Sequence, residues 1–160
     1  MAKLVVVRGD PVEGTDTHKV TGSTSSSPPV TYAGTGDYKY HGSITGQLSG
    51  LVTIAGTPVA LVTSRSSLNP GEASPAGAHG GPQGSNFKPA APAPNPVTVN
   101  IADAPLGTGA PGSGAGSGLL TVNGVKVLLD GDKLDTCGPS PTKAASAVTA
   151  QGQDFVTCSV

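Results

Sequence analysis

The block 50–61, Gly-Leu-Val-Thr-Ile-Ala-Gly-Thr-Pro-Val-Ala-Leu, returns without a gap at 118–129 as Gly-Leu-Leu-Thr-Val-Asn-Gly-Val-Lys-Val-Leu-Leu. Both copies read as strand, two-residue turn, strand. Asn123-Gly124 is the favoured pair for a type I′ turn, where both central residues take positive φ, and Ala55-Gly56 is a weaker version of it. The stretch Val97–Asp103 is a degenerate third candidate without the turn glycine. A lone two-stranded hairpin is marginal in water, so the copies must pack on one another or on a partner.

The rest of the chain favours the same class. Gly 24 and Pro 15 in 160 residues interrupt nearly every window in which a helical period could develop. Only Pro141–Val148, with Ala144, Ala145 and Ala147, could support a turn or two of helix. Short runs rich in Val, Ile, Leu and Thr and bounded by turn residues predict strands at 4–8, 43–45, 51–54, 59–63, 97–101, 119–122, 125–129 and 155–158. The intervening segments 23–29, 64–96 and 107–118 are rich in Pro, Gly, Ser and Ala and read as linkers, although His79 inside the longest one suggests that it is pinned.

Composition removes several function classes. The formal net charge is −1 and 12% of residues are charged, so no basic stripe offers a footprint for nucleic acid. No stretch approaches the roughly 20 apolar residues of a membrane helix, and the apolar run before Arg8 is too short for a secretory leader. The expectation is synthesis in the cytoplasm with Cys137 and Cys158 reduced, one disulfide in a released particle being the alternative. The aromatics are Tyr32, Tyr38, Tyr40, Phe87 and Phe155, too few for a conventional thick core. A metal, repeated turns or a partner surface would have to supply stability instead.

Candidate ligands stand out against this background. His41-Gly42, His79-Gly80 and Cys137-Gly138 each place a metal-binding side chain before a glycine, which would let the backbone turn where segments converge. With His18 they make three imidazoles and one thiol, a donor set suited to a closed tetrahedral zinc site. No zinc-finger spacing links them, so any one of them alone reads as an ordinary surface histidine or a small buried cysteine; the case rests on the repeated ligand-glycine unit and its placement. Gly9-Asp10 and Gly131-Asp132 each follow an apolar strand, and their carboxylates read as turn caps. The Arg8-Gly9-Asp10 tripeptide is too short a match to carry an adhesive function. Neither a G-x-S-x-G elbow nor a phosphate-binding loop occurs, and nothing pairs a nucleophile with a base.

In order along the chain, these features resemble the PAAR-repeat proteins that tip the spikes of contractile injection systems, such as type VI secretion machines and extracellular phage-tail-like particles. The order is apolar strand, Gly-Asp, His18, His41-Gly42, a hairpin ending in Pro58-Val59-Ala60-Leu61, His79-Gly80, the Val122-Asn123-Gly124 hairpin, Gly131-Asp132 and Cys137-Gly138. No literal Pro-Ala-Ala-Arg is present, and the gap from Asp10 to His18 is longer than the family's usual one. The resemblance implies a mainly β fold: a small cone of short β-hairpins with pseudo-threefold symmetry and long Gly/Pro-rich loops. It implies a PAAR-like domain over 1–138, with insertions at about 23–37 and 64–96, and a tail over 139–160 that could add a last strand at the base. It further implies a structural zinc ion on His18, His41, His79 and Cys137, and a base seated on a trimeric β-helical spike protein. The implied job is a non-enzymatic, membrane-piercing tip on a secreted or released particle, in transient contact with a target membrane and able to carry toxin or effector cargo. Two other classes compete with it: a disordered Gly/Pro-rich linker or adhesive surface protein, and a zinc hydrolase. The hydrolase would leave one ligand position open and draw a base from Glu13, Asp16 or Glu72.

Overall fold

The computed structural model describes residues 1–73, 77, 79–80, 83–90, 98–102, 107–136 and 146–159. They fold as a mainly β structure whose centre is a junction of three short segments, 5–10, 59–64 and 127–132. Val5 bridges Leu129, Val7 bridges Val59 and Leu61 bridges Val127, so each segment touches both others. At the middle, Val6 N–H donates to Leu128 O (3.0 Å), Leu128 N–H to Ala60 O (3.0 Å) and Ala60 N–H to Val6 O (2.9 Å). Those three bonds close on themselves, which defines a pseudo-threefold axis. Val6, Ala60 and Leu128 are all fully buried, each large apolar side chain there contributing about 1.5–3 kcal/mol.

The segments also end alike. Val7 N–H is capped by Asp10 Oδ2 at 2.7 Å, Leu61 N–H by Ser64 Oγ at 2.9 Å and Leu129 N–H by Asp132 Oδ2 at 2.8 Å. Asp10 and Asp132 are therefore turn caps, as their place after a glycine predicts.

A hairpin precedes each segment. Strands β4 (Thr53–Ile54) and β5 (Thr57–Pro58) form the first, and β10 (Thr121–Val122) and β11 (Val125–Lys126) the second. Their turns have positive φ at both central residues: 48° and 80° at Ala55-Gly56, 49° and 76° at Asn123-Gly124. The third hairpin joins the two ends of the sequence, with β14 (Thr157–Ser159) antiparallel to β1 (Ala2–Leu4). Ser49 Oγ accepts from the N–H of Leu51 and Val52, and Ser117 Oγ from Leu119 and Leu120. In the third copy Gln153 Oε1 accepts from Phe155 and Val156, while its Nε2 donates to Val5 O at 2.8 Å. The Gln153 amide thus splices a hairpin made of separate chain ends.

After each segment the chain runs outward in a strand and later returns in another. The outward strands are β2 (Pro11–Ser23), β6 (Arg65–Leu68) and β12 (Lys133–Asp135), and the return strands β3 (Thr31–Gly46), β9 (Thr108–Pro111) and β13 (Ser146–Val148). Their pairing order β3-β6-β9-β12-β13-β2 closes because β2 also pairs β3. Inside lie Val12, Tyr40, Ile44, Leu134 and Val148. The first pair is much the longest, its register unbroken from Pro11↔Ser43 to Ser23↔Thr31. Two further strands flank its far half, β7 (Ser85–Lys88) beside β3 and β8 (Thr98–Ile101) beside β2. Val20, Tyr32, Tyr38 and Val99 bury a second core there.

Several expectations change. Residues 31–37 belong to a long strand, so 23–37 is the end of a hairpin rather than a loop insertion. Residues 65–68 and 85–88 within the stretch 64–96 are strands. Ser146–Val148 is a strand inside the closed sheet, so 146–159 is built into the fold; the expected boundary at 138 and residues 141–145 of the expected helical turn lie outside the described residues. The aromatics, although few, are used efficiently: alternation along β3 turns Tyr32, Tyr38 and Tyr40 inward, each 5% exposed or less.

Two predictions follow from this architecture. Gln153→Ala removes the acceptor and donor that splice the third hairpin, and urea unfolding should report a loss of about 2 kcal/mol or more, larger than for Ser49→Ala; an equal or smaller loss would count against the splice. Burial pushes Tyr38 and Tyr40 up to about 12. Their neutral forms stabilise the fold in full below the unfolded value near 10, and that contribution is lost as pH rises from 10 through 12. With three tyrosines and no tryptophan, absorbance titration should leave most tyrosinate unformed at pH 11 until the fold opens.

Candidate metal centre

On a strand, residues two apart share a face. Asp16 and His18 therefore both point inward from β2, between Val12 and Val20, and both are fully buried. His79 arrives from the chain after β6, where it forms a parallel bridge with Ala73. One ligand atom from each of Asp16, His18 and His79 lies within 4.8 Å of the others. Asp16 Oδ2 is 3.7 Å from His18 Nε2 and 4.0 Å from His79 Nε2. Two ligands on one tetrahedral ion with bonds of about 2.1 Å stand about 3.4 Å apart; the two Asp16 distances are close to that, and a further approach of the two imidazoles, whose ligand atoms lie within 4.8 Å, would close this set on a metal.

The surroundings favour an ion. His79 Nδ1 lies 2.9 Å from Lys39 O; a carbonyl only accepts, so Nδ1 carries the proton and Nε2 presents its lone pair toward Asp16. Burial holds His79 below the usual histidine range, against the Lys39 bond, which keeps the ring in the neutral form that binds metal. His79 Nε2 and Asp16 Oδ2 are buried with no hydrogen-bond partner among the described residues, a costly arrangement unless something else ligates them. The other carboxylate oxygen, Oδ1, accepts from Thr136 Oγ1, which is 2.6 Å from Ser146 Oγ. With the Thr136 proton committed to the carboxylate, Ser146 must donate to Thr136. This relay ties Asp16 to the strands on either side of 137–145. Tyr38 and Tyr40 wall the site, Tyr40 edge-on to His79 with ring centres 5.8 Å apart and Tyr38 6.0 Å from it.

The structure thus brings together two of the expected ligands, His18 and His79. It does not bring His41 to them. In the register His41 faces Glu13 and His18 faces Gly36; Glu13 and His18 are five positions apart, an odd interval that puts His41 on the opposite face, roughly 17 Å along the strand. Its ring is 42% exposed and meets Glu72, with Nδ1 3.4 Å from Oε2, beside an open hollow of about 380 Å³ lined by Glu13, Gly14, Thr15, Lys39 and His41. Gly42 makes no turn either: a Cβ there would strike Ser67 O at 2.5 Å and the Tyr40 ring at 2.6 Å, so the glycine admits close strand packing. Cys137 lies outside the described residues, one peptide bond beyond Thr136. Asp16 is the candidate ligand that sequence reasoning missed, having entered only as an acid for a hydrolase. Its signal was the Asp16-Thr17-His18 spacing within a strand.

No family model, curated protein or solved structure matches this chain.

Elemental analysis should find about one metal per chain at saturation in wild type and in His41→Ala, and little in His18→Ala or His79→Ala. Asp16→Asn, which keeps the shape and removes the charge, should weaken binding tenfold or more. Full metal loss in His41→Ala with retention in His79→Ala would reverse the assignment.

Proposed function

We propose that this chain is the metal-stabilised tip of a contractile injection system, a structural cap seated on the threefold end of a trimeric β-helical spike. The observation that carries the reading is the pseudo-threefold junction together with what it presents outward. Leu51, Leu119 and Phe155 occupy equivalent places in the three hairpins, each two residues beyond the Ser49, Ser117 or Gln153 acceptor, and they are 70%, 74% and 64% exposed. Val52 and Leu120 beside them are also exposed. Single exposed apolar residues need no explanation, but a symmetric set around an axis calls for a partner with the same symmetry. One folded chain that imitates threefold symmetry suits a cap that binds three identical subunits at once.

The metal has a place in the same reading. Zinc on Asp16, His18 and His79, with Cys137 as fourth ligand, would tie the long β2–β3 hairpin to the chain after β6 and to the end of β12, one contribution from each repeat. Such an ion stabilises by holding distant segments together where little interior is available. The full burial of the Asp16 and His18 side chains supports a closed structural site rather than a hydrolytic one, which would keep a position open to water. A disordered linker fits poorly with a closed sheet and three caps of matching geometry. Contact with a target membrane and carriage of cargo belong to this proposal as consequences of position at a tip.

Native mass spectrometry with a trimeric β-helical spike from the same source should give one chain per three spike subunits. Leu51→Asp with Leu119→Asp should abolish that complex while circular dichroism stays unchanged. A complex with three chains per trimer, or a complex indifferent to both substitutions, would sink the reading.

A further inference from the structure

His41, turned away from the buried cluster, sits at the outside of the connection that delivers His79. Among the described residues, four contacts fasten that connection to β3. His41 O accepts from Asn69 N–H at 3.0 Å, and Ser43 Oγ donates to Asn69 Oδ1 at 3.1 Å. The His41 ring meets the Glu72 carboxylate, with Nδ1 3.4 Å from Oε2. On the inner side Lys39 O accepts from His79 Nδ1. Glu72 is the pivot between outside and inside, because its own backbone O accepts from His79 N–H at 2.9 Å while its N–H donates to Asn69 O at 3.1 Å. Gly77 passes so close that a Cβ would collide with the Glu72 carbonyl. The Glu72 backbone therefore cannot move without carrying His79 along.

We infer that His41 and Glu72 are positioning residues for the metal centre: their side-chain contact, outside the sheet, holds the Glu72 backbone and through it aims His79 Nε2 at Asp16. The inference rests on the reading of Asp16, His18 and His79 as a metal site. It gives His41 a role in metal binding without making it a ligand. The pair is partly exposed, 42% for His41 and 26% for Glu72, so its contribution is modest. An exposed ion pair is worth a few-fold in an equilibrium, and partners that orient a ligand are worth more, which together predict a three- to tenfold effect on metal affinity.

The test compares wild type, Glu72→Gln, His41→Gln, the double variant and His41→Lys. Zinc affinity is read by competition with a chromophoric chelator, ligand type by the visible spectrum of the cobalt form, and His79 by exchange of its Nδ1 proton in the metal-free protein. Glu72→Gln and His41→Gln should each raise the dissociation constant three- to tenfold at unchanged stoichiometry, with the double variant no worse than either. His41→Lys, which places a cation opposite Glu72, should recover affinity to within twofold and keep the cobalt spectrum. The His79 Nδ1 proton should exchange faster in Glu72→Gln. Unchanged affinity in both single variants would overturn the inference and leave the metal site standing. A cobalt spectrum in His41→Lys that has lost a nitrogen ligand would make His41 a ligand and overturn it too. If wild type bound neither metal, the metal reading itself would fall, and an unchanged His79 exchange rate in Glu72→Gln would then dispose of the clamp as well.

Discussion

Everything in this molecule hangs on three backbone hydrogen bonds that close on themselves. Val6, Leu128 and Ala60 each donate to the next around the axis, and their side chains fill the space that the ring encloses. A chain with so many glycines forfeits much conformational entropy on folding. The ring recovers stability by letting each short segment pair with two others at once. Its geometry leaves the outward strands equivalent in direction, so β2, β6 and β12 leave the axis as three blades and must be joined by the return strands into one closed sheet. Closure also removes sheet edges from that part of the fold, the exposed liability of any open sheet.

The three repeats then diverge according to what each must hold. Two end in tight turns, while the third is assembled from both ends of the sequence and needs the Gln153 side chain to stand in for contacts that a serine makes elsewhere. The first blade is drawn out far beyond its counterparts and acquires flanking strands and a tyrosine-lined core. At the height where the other blades give out, inward positions turn polar: Asp16 and His18 from the long hairpin, Thr136 and Ser146 from the third blade. Polar groups at that depth are tolerated only with partners, and the Ser146–Thr136–Asp16 relay satisfies one carboxylate oxygen while leaving the other directed at His79. An ion at this point would tie together the polar groups that lie between two apolar cores, which connects the fold to the proposed tip.

The expected zinc set shows where sequence reasoning succeeds and stops. His18 and His79 meet although 61 positions apart in numbering is not a spacing any local motif encodes; chain order and donor chemistry sufficed to nominate them. His41 failed on parity. The glycine after it looked like a turn, whereas the chain there is extended, and in an extended chain the alternation of faces sends Tyr40 in and His41 out. Asp16 was visible as an acid two residues from His18, and only knowledge that both lie on one strand makes them neighbours on one face.

What the sequence determined by itself was local: the two repeated hairpins, the positive-φ turns at Ala55-Gly56 and Asn123-Gly124, the carboxylate caps at Asp10 and Asp132, and the mainly β character of the whole. Each of these is written in side-chain chemistry over a few consecutive residues. The tertiary structure alone decided that residues 153–159 and 1–10 form the third copy of the repeat, that the stretch after Pro11 is one long hairpin, and which histidines share a site. Those outcomes depend on backbone hydrogen bonds between remote segments. Every residue but proline offers the same N–H and C=O groups for such bonds, so ring closure leaves almost no mark on the identity of the residues that make it.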